Sequence, residues 1–244
     1  MASLLREAQR QLAARADPAA AAILRGFFKT GPGEYGAGDR FRGIRVPALR
    51  EVARQVADMP LRDASRLLAS PYHEDRLLAL LVLVRQFERG DAAARRRIYD
   101  TYLAHTRHVN NWDLVDLSAP NIAGAWLLAR APAPLRRLVV SGNLWERRIA
   151  IVATHAFIRA GRFDLTLELA ARLLADREDL LHKAAGWMLR EVGKRDAAAL
   201  RGFLGRHAAV MPRTMLRYAI ERFNRAERLR WLAAGRRGAL RPRA

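Results

Sequence analysis

Residues 143–161 read NLWERRIAIVATHAFIRAG. Ile149, Val152, Ala153 and Ala156 fall on one face of a helix, and Gly161 follows as a C-terminal stop. Residues 73–90, HEDRLLALLVLVRQFERG, show the same pattern in Leu77, Leu80, Leu81 and Val84 before Gly90. Gly193 ends a third stretch, and Pro47, Pro120 and Pro212 fit first-turn positions. No alternating segment is long enough to predict a strand. The chain is read as all-α.

The helices recur. Arg148-Ile149-Ala150, Lys183-Ala184-Ala185 and Arg217-Tyr218-Ala219 are spaced by 35 and 34 residues. Trp112 stands 36 residues before Arg148, and Leu77 another 35 before that. A helical unit of this length predicts an α-solenoid of HEAT-like helix pairs with a concave basic groove. Each pair is too small to close a core alone, so neighbours stack. A coiled coil is the competing reading, and the Gly and Pro punctuation argues against it. Residues 1–235 are read as one repeat domain and 236–244 as a frayed basic tail. The Gly-rich stretch Thr30–Gly38 lacks a Gly-Lys-Ser/Thr ending and a preceding strand, so it reads as a long turn between helices.

Composition narrows the function. Of 244 residues, 44 are Lys or Arg against 24 acids, a net charge of +20, with Lys29, Lys183 and Lys194 the only lysines. That excess points to a polyanionic partner, nucleic acid before an anionic membrane surface. A hydrophobic content of 51% argues against a disordered basic arm. The absence of cysteine excludes disulfide scaffolds and thiolate chemistry. No apolar run approaches the ~20 residues of a membrane span. The charged N-terminus has no signal-peptide core, so a cytoplasmic protein is expected.

In the repeat register Trp112, Arg148, Lys183 and Arg217 are equivalent, as are Asp116, Val152 and Trp187. Trp112 and Asp116, like Lys183 and Trp187, are i, i+4 pairs on one helix face. Stacked equivalent helices would line up two indoles, one carboxylate and three cations. Plainer roles compete: tryptophans in the core, an acid at a helix start, Arg148 paired with Asp116 or Glu146. Asp113 fits the helix-start role better than Asp116, which lies a turn deeper among Leu114, Val115 and Leu117. His105, His108 and Asp113 could approach a metal, but three ligands without a fourth make a weak pattern.

At these residues the chain resembles the bacterial HEAT-like-repeat DNA alkylation-repair glycosylases of the AlkD type, from about Ala20 to Arg225. The resemblance rests on residues 27–35 (FFKTGPGEY), 43–47 (GIRVP), 111–116 (NWDLVD), 143–148 (NLWERR) and 183–191 (KAAGWMLRE). The Trp-Asp-x-x-Asp and Lys-Ala-x-Gly-Trp-x-Leu-Arg-Glu segments are the specific ones. The first 45 residues depart most, and there Phe27 is an incomplete match to an aromatic contact of the family.

The resemblance implies a glycosylase that excises N3- and N7-alkylated purines from duplex DNA, without cofactor or metal and without a closed base-flipping pocket. It makes Asp116 the catalytic carboxylate, Trp112 and Trp187 the site indoles, and Arg148 a phosphate contact. Lys183, Arg217, Arg147 and Arg190 join Arg148 as DNA-binding cations. It also implies a bacterial monomer that sits on the nucleoid when bound to DNA. Some relatives of this fold bind DNA without excising bases, so a non-catalytic binder of bent or branched DNA is the alternative.

Overall fold

The computed structural model describes the backbone of residues 3–239 and the side chains of residues 3–234. Among the described residues the regular structure is helical, with no strand and one isolated bridge between Arg40 and Tyr72. By packing, the chain divides into two compact units, Met1–Trp126 and Leu127–Ala244.

The first unit holds α1 (Leu4–Ala14), α2 (Pro18–Phe27), α3 (Val46–Gln55), α4 (Leu61–Leu68), α5 (His73–Arg89), α6 (Ala92–Ala104) and α7 (Trp112–Ser118). A π-helical turn, Pro120–Gly124, leads into the short α8 (Ala125–Leu127) at the boundary. Helices α3 and α4 pack on α5, and α5 packs on α6, α7 and the π turn. Leu77, Leu78, Leu80, Val82 and Leu83 of α5 are all buried. A helix apolar on every side must lie inside its unit. Each such side chain contributes about 1.5–3 kcal/mol of burial.

The first turn of α5 is buried too, although it reads His73-Glu74-Asp75-Arg76. Each of the four has partners, as buried polar groups require. Glu74 accepts the backbone N–H groups of Arg42 (2.9 Å), Gly43 (2.8 Å) and Ile44 (3.2 Å). Asp75 pairs with the Arg42 guanidinium at 2.6 Å and accepts from Ser70. Arg76 donates to Asp39 at 2.7 Å and to the Ser70 carbonyl. Together they fasten segment 39–44, which follows the Gly-rich turn, onto α5. Gly43 has φ +85° there, and a Cβ on it would lie 2.0 Å from the Asp17 carbonyl oxygen.

The second unit holds α9 (Ala133–Leu138), α10 (Leu144–Ala153), α11 (His155–Arg159), α12 (Asp164–Arg172), α13 (Asp179–Gly193), α14 (Ala197–His207), α15 (Arg213–Ala219) and α16 (Arg225–Ala239). Helix α10 packs on α13 and α13 on α15, while α12 and α14 flank α13. In the first unit α3, α5 and α7 pack in the same successive way. This stacking of helix pairs is what the repeat implied. Gly186 permits a close approach of α13 to α15, since a Cβ there would lie 2.5 Å from the Met215 carbonyl oxygen.

Three local expectations change. Pro120 opens the π turn instead of an α-helix, because it has no N–H to give the Asp116 carbonyl four residues back. Pro212 is the N-cap of α15, one residue ahead of the first turn. The tail is helical where it is described: α16 carries the backbone to Ala239, and residues 240–244 of the expected frayed segment lie outside the described residues.

Candidate active site and nucleic-acid interface

Trp112 is the first residue of α7, and the side chain of the N-cap Asn111 accepts its N–H at 2.8 Å. Its indole stacks on Phe28 (centroids 5.4 Å apart, 24°), and Phe28 stacks on Phe41 (5.2 Å, 18°). Phe27 meets the indole edge-on at 6.0 Å while remaining 61% exposed. Aromatic pairs of this kind contribute about 0.5–1.5 kcal/mol each beyond burial. These rings border an open, mainly apolar cleft of about 590 Å³ that Ile44, Leu77 and Asp113 also line. Trp112 is therefore half-buried on a rigid aromatic shelf, with one part facing the cleft.

Asn111, not Asp113, caps α7. The Asp113 carboxylate instead lies 2.8 Å from Nε2 of His73, which is 2% exposed. Nδ1 of His73 lies 3.5 Å from Asp39, and Arg76 holds the other Asp39 oxygen. Sequence reasoning missed His73 and Asp39. Asp113 is thus engaged away from His105, whose ring bonds the Thr101 carbonyl, and from His108, which accepts from Arg107.

Burial pulls the His73 pKa down, but its bonds to Asp113 and Asp39 outweigh that and hold it above the ordinary histidine range. Burial pushes Asp39 up, and His73, Arg76 and Asn111 together bring it below the usual carboxylate range. A histidine whose pKa is raised by folding stabilises the fold fully below its unfolded pKa. That stability is lost as pH rises through the folded pKa. We expect the Tm of the wild type, relative to that of His73→Gln, to fall as pH rises above the ordinary histidine range. Identical Tm profiles in the two proteins would contradict this.

Asp116 sits one turn beyond Trp112, half-buried, just ahead of the π turn. Burial raises the Tyr102 phenol pKa well above its ordinary value; a hydrogen bond from Ser118 opposes the rise and the Asp116 charge adds to it. The π turn is closed by Gly124 N–H to the Ala119 carbonyl, and Asn121 caps the Leu117 carbonyl. Such turns recur where a helix is re-aimed at a functional site.

The helix starts revise the repeat register. Counted from the N-caps Tyr72, Asn111, Asn143, Glu178 and Pro212, the fifth helical residues are Leu77, Asp116, Arg148, Lys183 and Arg217. Asp116, and not Trp112, is the equivalent of the three cations.

In the second unit Trp187 is half-buried, donates its indole N–H to Glu191 at 3.2 Å and lies 5.9 Å from the His155 ring. Arg148 is only 5% exposed and donates to the Leu180 carbonyl at 2.7 Å. Arg147 pairs with Asp176 at 2.8 Å, and Arg190 pairs with Glu221. Lys183 pairs with Asp179 at 2.8 Å but stays half-exposed. Arg217 is exposed. Of the five expected DNA-binding cations, Arg217 and Lys183 are therefore the most accessible.

The first unit supplies cations that the repeat did not indicate. Arg50 and Arg54 are one turn apart on α3, and with Arg85 of α5 they line a groove of about 340 Å³. Leu117 and Asn121, flanking the end of α7, also line it, as does Glu88 of α5. The i, i+4 spacing of Arg50 and Arg54 was a signal available in the sequence. Arg148→Ala should lower Tm by roughly 5 °C, since it removes a buried charged donor. Arg54→Ala should leave Tm unchanged and reduce the log–log salt slope of duplex binding by about 0.9. Interchanged results would give Arg148 the phosphate and Arg54 the fold.

Stacked helix pairs carrying an aromatic shelf, a carboxylate one turn away and a groove lined by Arg50, Arg54 and Arg85 define an all-α solenoid. The family model described as DNA alkylation repair enzyme matches residues 8–223, and the chain belongs to that family. Its role therefore lies in the repair of alkylated DNA. A solved structure described as a predicted DNA alkylation repair enzyme from Enterococcus faecalis is similar at 17% identity and a TM-score of 0.69, over 86% of this chain and 98% of that one. At that identity the likeness concerns the all-α fold. No curated protein gives a significant match. Among the described residues no helix is long and apolar enough to cross a membrane.

Proposed function

We propose that the protein is a monofunctional DNA glycosylase that hydrolyses the glycosidic bond of N3- and N7-alkylated purines in duplex DNA. The observation that carries this reading is the half-buried Asp116 one turn from the shelf-mounted Trp112. Alkylation at N3 or N7 gives the base a positive charge, so it departs as a neutral molecule with the bonding electron pair. No general acid is needed, which distinguishes this reaction from glycosidases that use two carboxyl groups. As the bond breaks, C1′ of the sugar becomes cationic. Asp116 stabilises that cation and accepts a proton from the water that attacks C1′, leaving an abasic site. A unit charge pair at 4 Å is worth about 4 kcal/mol gross at an effective dielectric near 20. Half of that, gained only in the transition state, exceeds tenfold in rate.

The electron-rich faces of Trp112 and Trp187 favour a cationic base or sugar over neutral ones. The open cleft suits a lesion held by its backbone and sugar without full extrusion of the base. Arg50, Arg54, Arg85, Lys183 and Arg217 serve as sequence-independent phosphate contacts. Single-turnover incubation with duplex DNA containing N7-methylguanine or N3-methyladenine, scored for free base, tests the reading. Binding without base release would favour the non-catalytic alternative. Trp112→Ala is expected to slow release about tenfold or more while circular dichroism stays unchanged. Unaltered release would make the indole a packing residue.

A further inference from the structure

Resting on the glycosylase reading, we propose that His73 is the positioning residue of the excision site: through Asp113 and the Phe28–Phe41 stack it sets where α7 holds Trp112 and Asp116. His73 opens α5, and its backbone N–H is fixed to the Arg40 carbonyl at 2.8 Å. Its ring lies 4.7 Å from Phe28 and 4.8 Å from Phe41, the two rings that support the Trp112 indole. Its Nε2 holds Asp113, the residue that follows Trp112. Two independent contacts thus run from one imidazole to the same turn of α7.

The charged groups facing the ring are Asp113 from α7, Asp39 from the segment before α3, and Arg76 from the next turn of α5. The Asn110 and Asn111 amides reach Asp39 at 3.4 Å and carry no charge. Ionised carboxylates only accept hydrogen bonds, and a neutral imidazole has one N–H. Only the imidazolium turns a proton to each, donating Nε2–H to Asp113 and facing Asp39 with Nδ1–H at an ion-pair distance of 3.5 Å. When it loses a proton, one of the two carboxylates faces a bare ring nitrogen and the ion pairing is lost, and the link between segment 39–44, α5 and α7 slackens. A displacement of about 1 Å at a reacting group costs up to about a hundredfold in rate.

The test uses the full chain, below its melting temperature, as wild type, His73→Gln, Asp113→Asn and Trp112→Phe. In the wild type the single-turnover rate should fall on the alkaline side, in step with the His73 titration followed by NMR, while duplex affinity is constant. His73→Gln should excise about ten- to a hundredfold more slowly and show no such alkaline limb. Asp113→Asn should behave in the same way. A folded His73→Gln with the wild-type rate and pH profile overturns the proposal, because a merely structural histidine would move only Tm. Should the wild type release no base, the glycosylase reading fails and the Trp112 emission decides separately. That emission, taken as wild type minus Trp112→Phe, should step with pH in free protein and should not step when His73 is Gln. Absence of the wild-type step overturns the proposal.

Discussion

Asp116→Asn reduces single-turnover release of N7-methylguanine about 10²–10³-fold, the loss that follows removal of one preorganised electrostatic group from a transition state. The exchange conserves shape and removes a charge. The Asn111 cap of α7, the Trp112–Phe28 stack and the Gly124–Ala119 bond of the π turn are all made by other residues. Duplex binding stays the same or tightens, because a negative group near the phosphates is gone. The decisive comparison is rate against affinity, measured on the same preparation. Equal excision by the variant would take Asp116 out of the chemistry.

Gly43→Ala lowers Tm by about 4–20 °C. Two costs coincide at this residue. A side chain at φ +85° incurs about 1–2 kcal/mol, and the added carbon would lie 2.0 Å from the backbone oxygen of Asp17, which has no rotamer to give way. Overpacking of that severity adds about 1–3 kcal/mol. In a chain of 244 residues each kcal/mol corresponds to about 2–4 °C. The Glu74 carboxylate that clamps the N–H groups of residues 42–44 would be pulled off its partners at the same time. Thermal melting followed by circular dichroism measures the effect; an unshifted Tm would show that segment 39–44 yields freely.

The helical class was legible because it depends on local spacing: Leu77, Leu80, Leu81 and Val84 require nothing distant to mark a face. The motif on α7 was legible in the same way. What escaped were interactions between residues far apart in sequence. His73-Glu74-Asp75-Arg76 reads as a charged, solvated first turn, yet all four are buried because Asp39, Arg42, Gly43, Ile44 and Asp113 come to meet them. The register slipped by one turn at Trp112 because the N-cap of α7 lies 32 residues before that of α10, whereas later caps are 35 and 34 apart. A constant step of 36 back from Arg148 overshoots Asp116 by four. Arg148 looked like an exposed cation because a neighbouring helix's carbonyl, that of Leu180, cannot be foreseen from its own helix.

The central claim is hydrolytic release of an alkylated base, and the fate of the alkyl group tests it most directly. A duplex carrying one N7-methylguanine with an isotopically labelled methyl group is incubated with excess protein, and the label is followed. The account predicts that the label leaves the DNA as free 7-methylguanine, in amounts equal to the alkali-labile abasic sites formed. Label transferred to the protein, or retained in an intact duplex that the protein nevertheless binds, would contradict it.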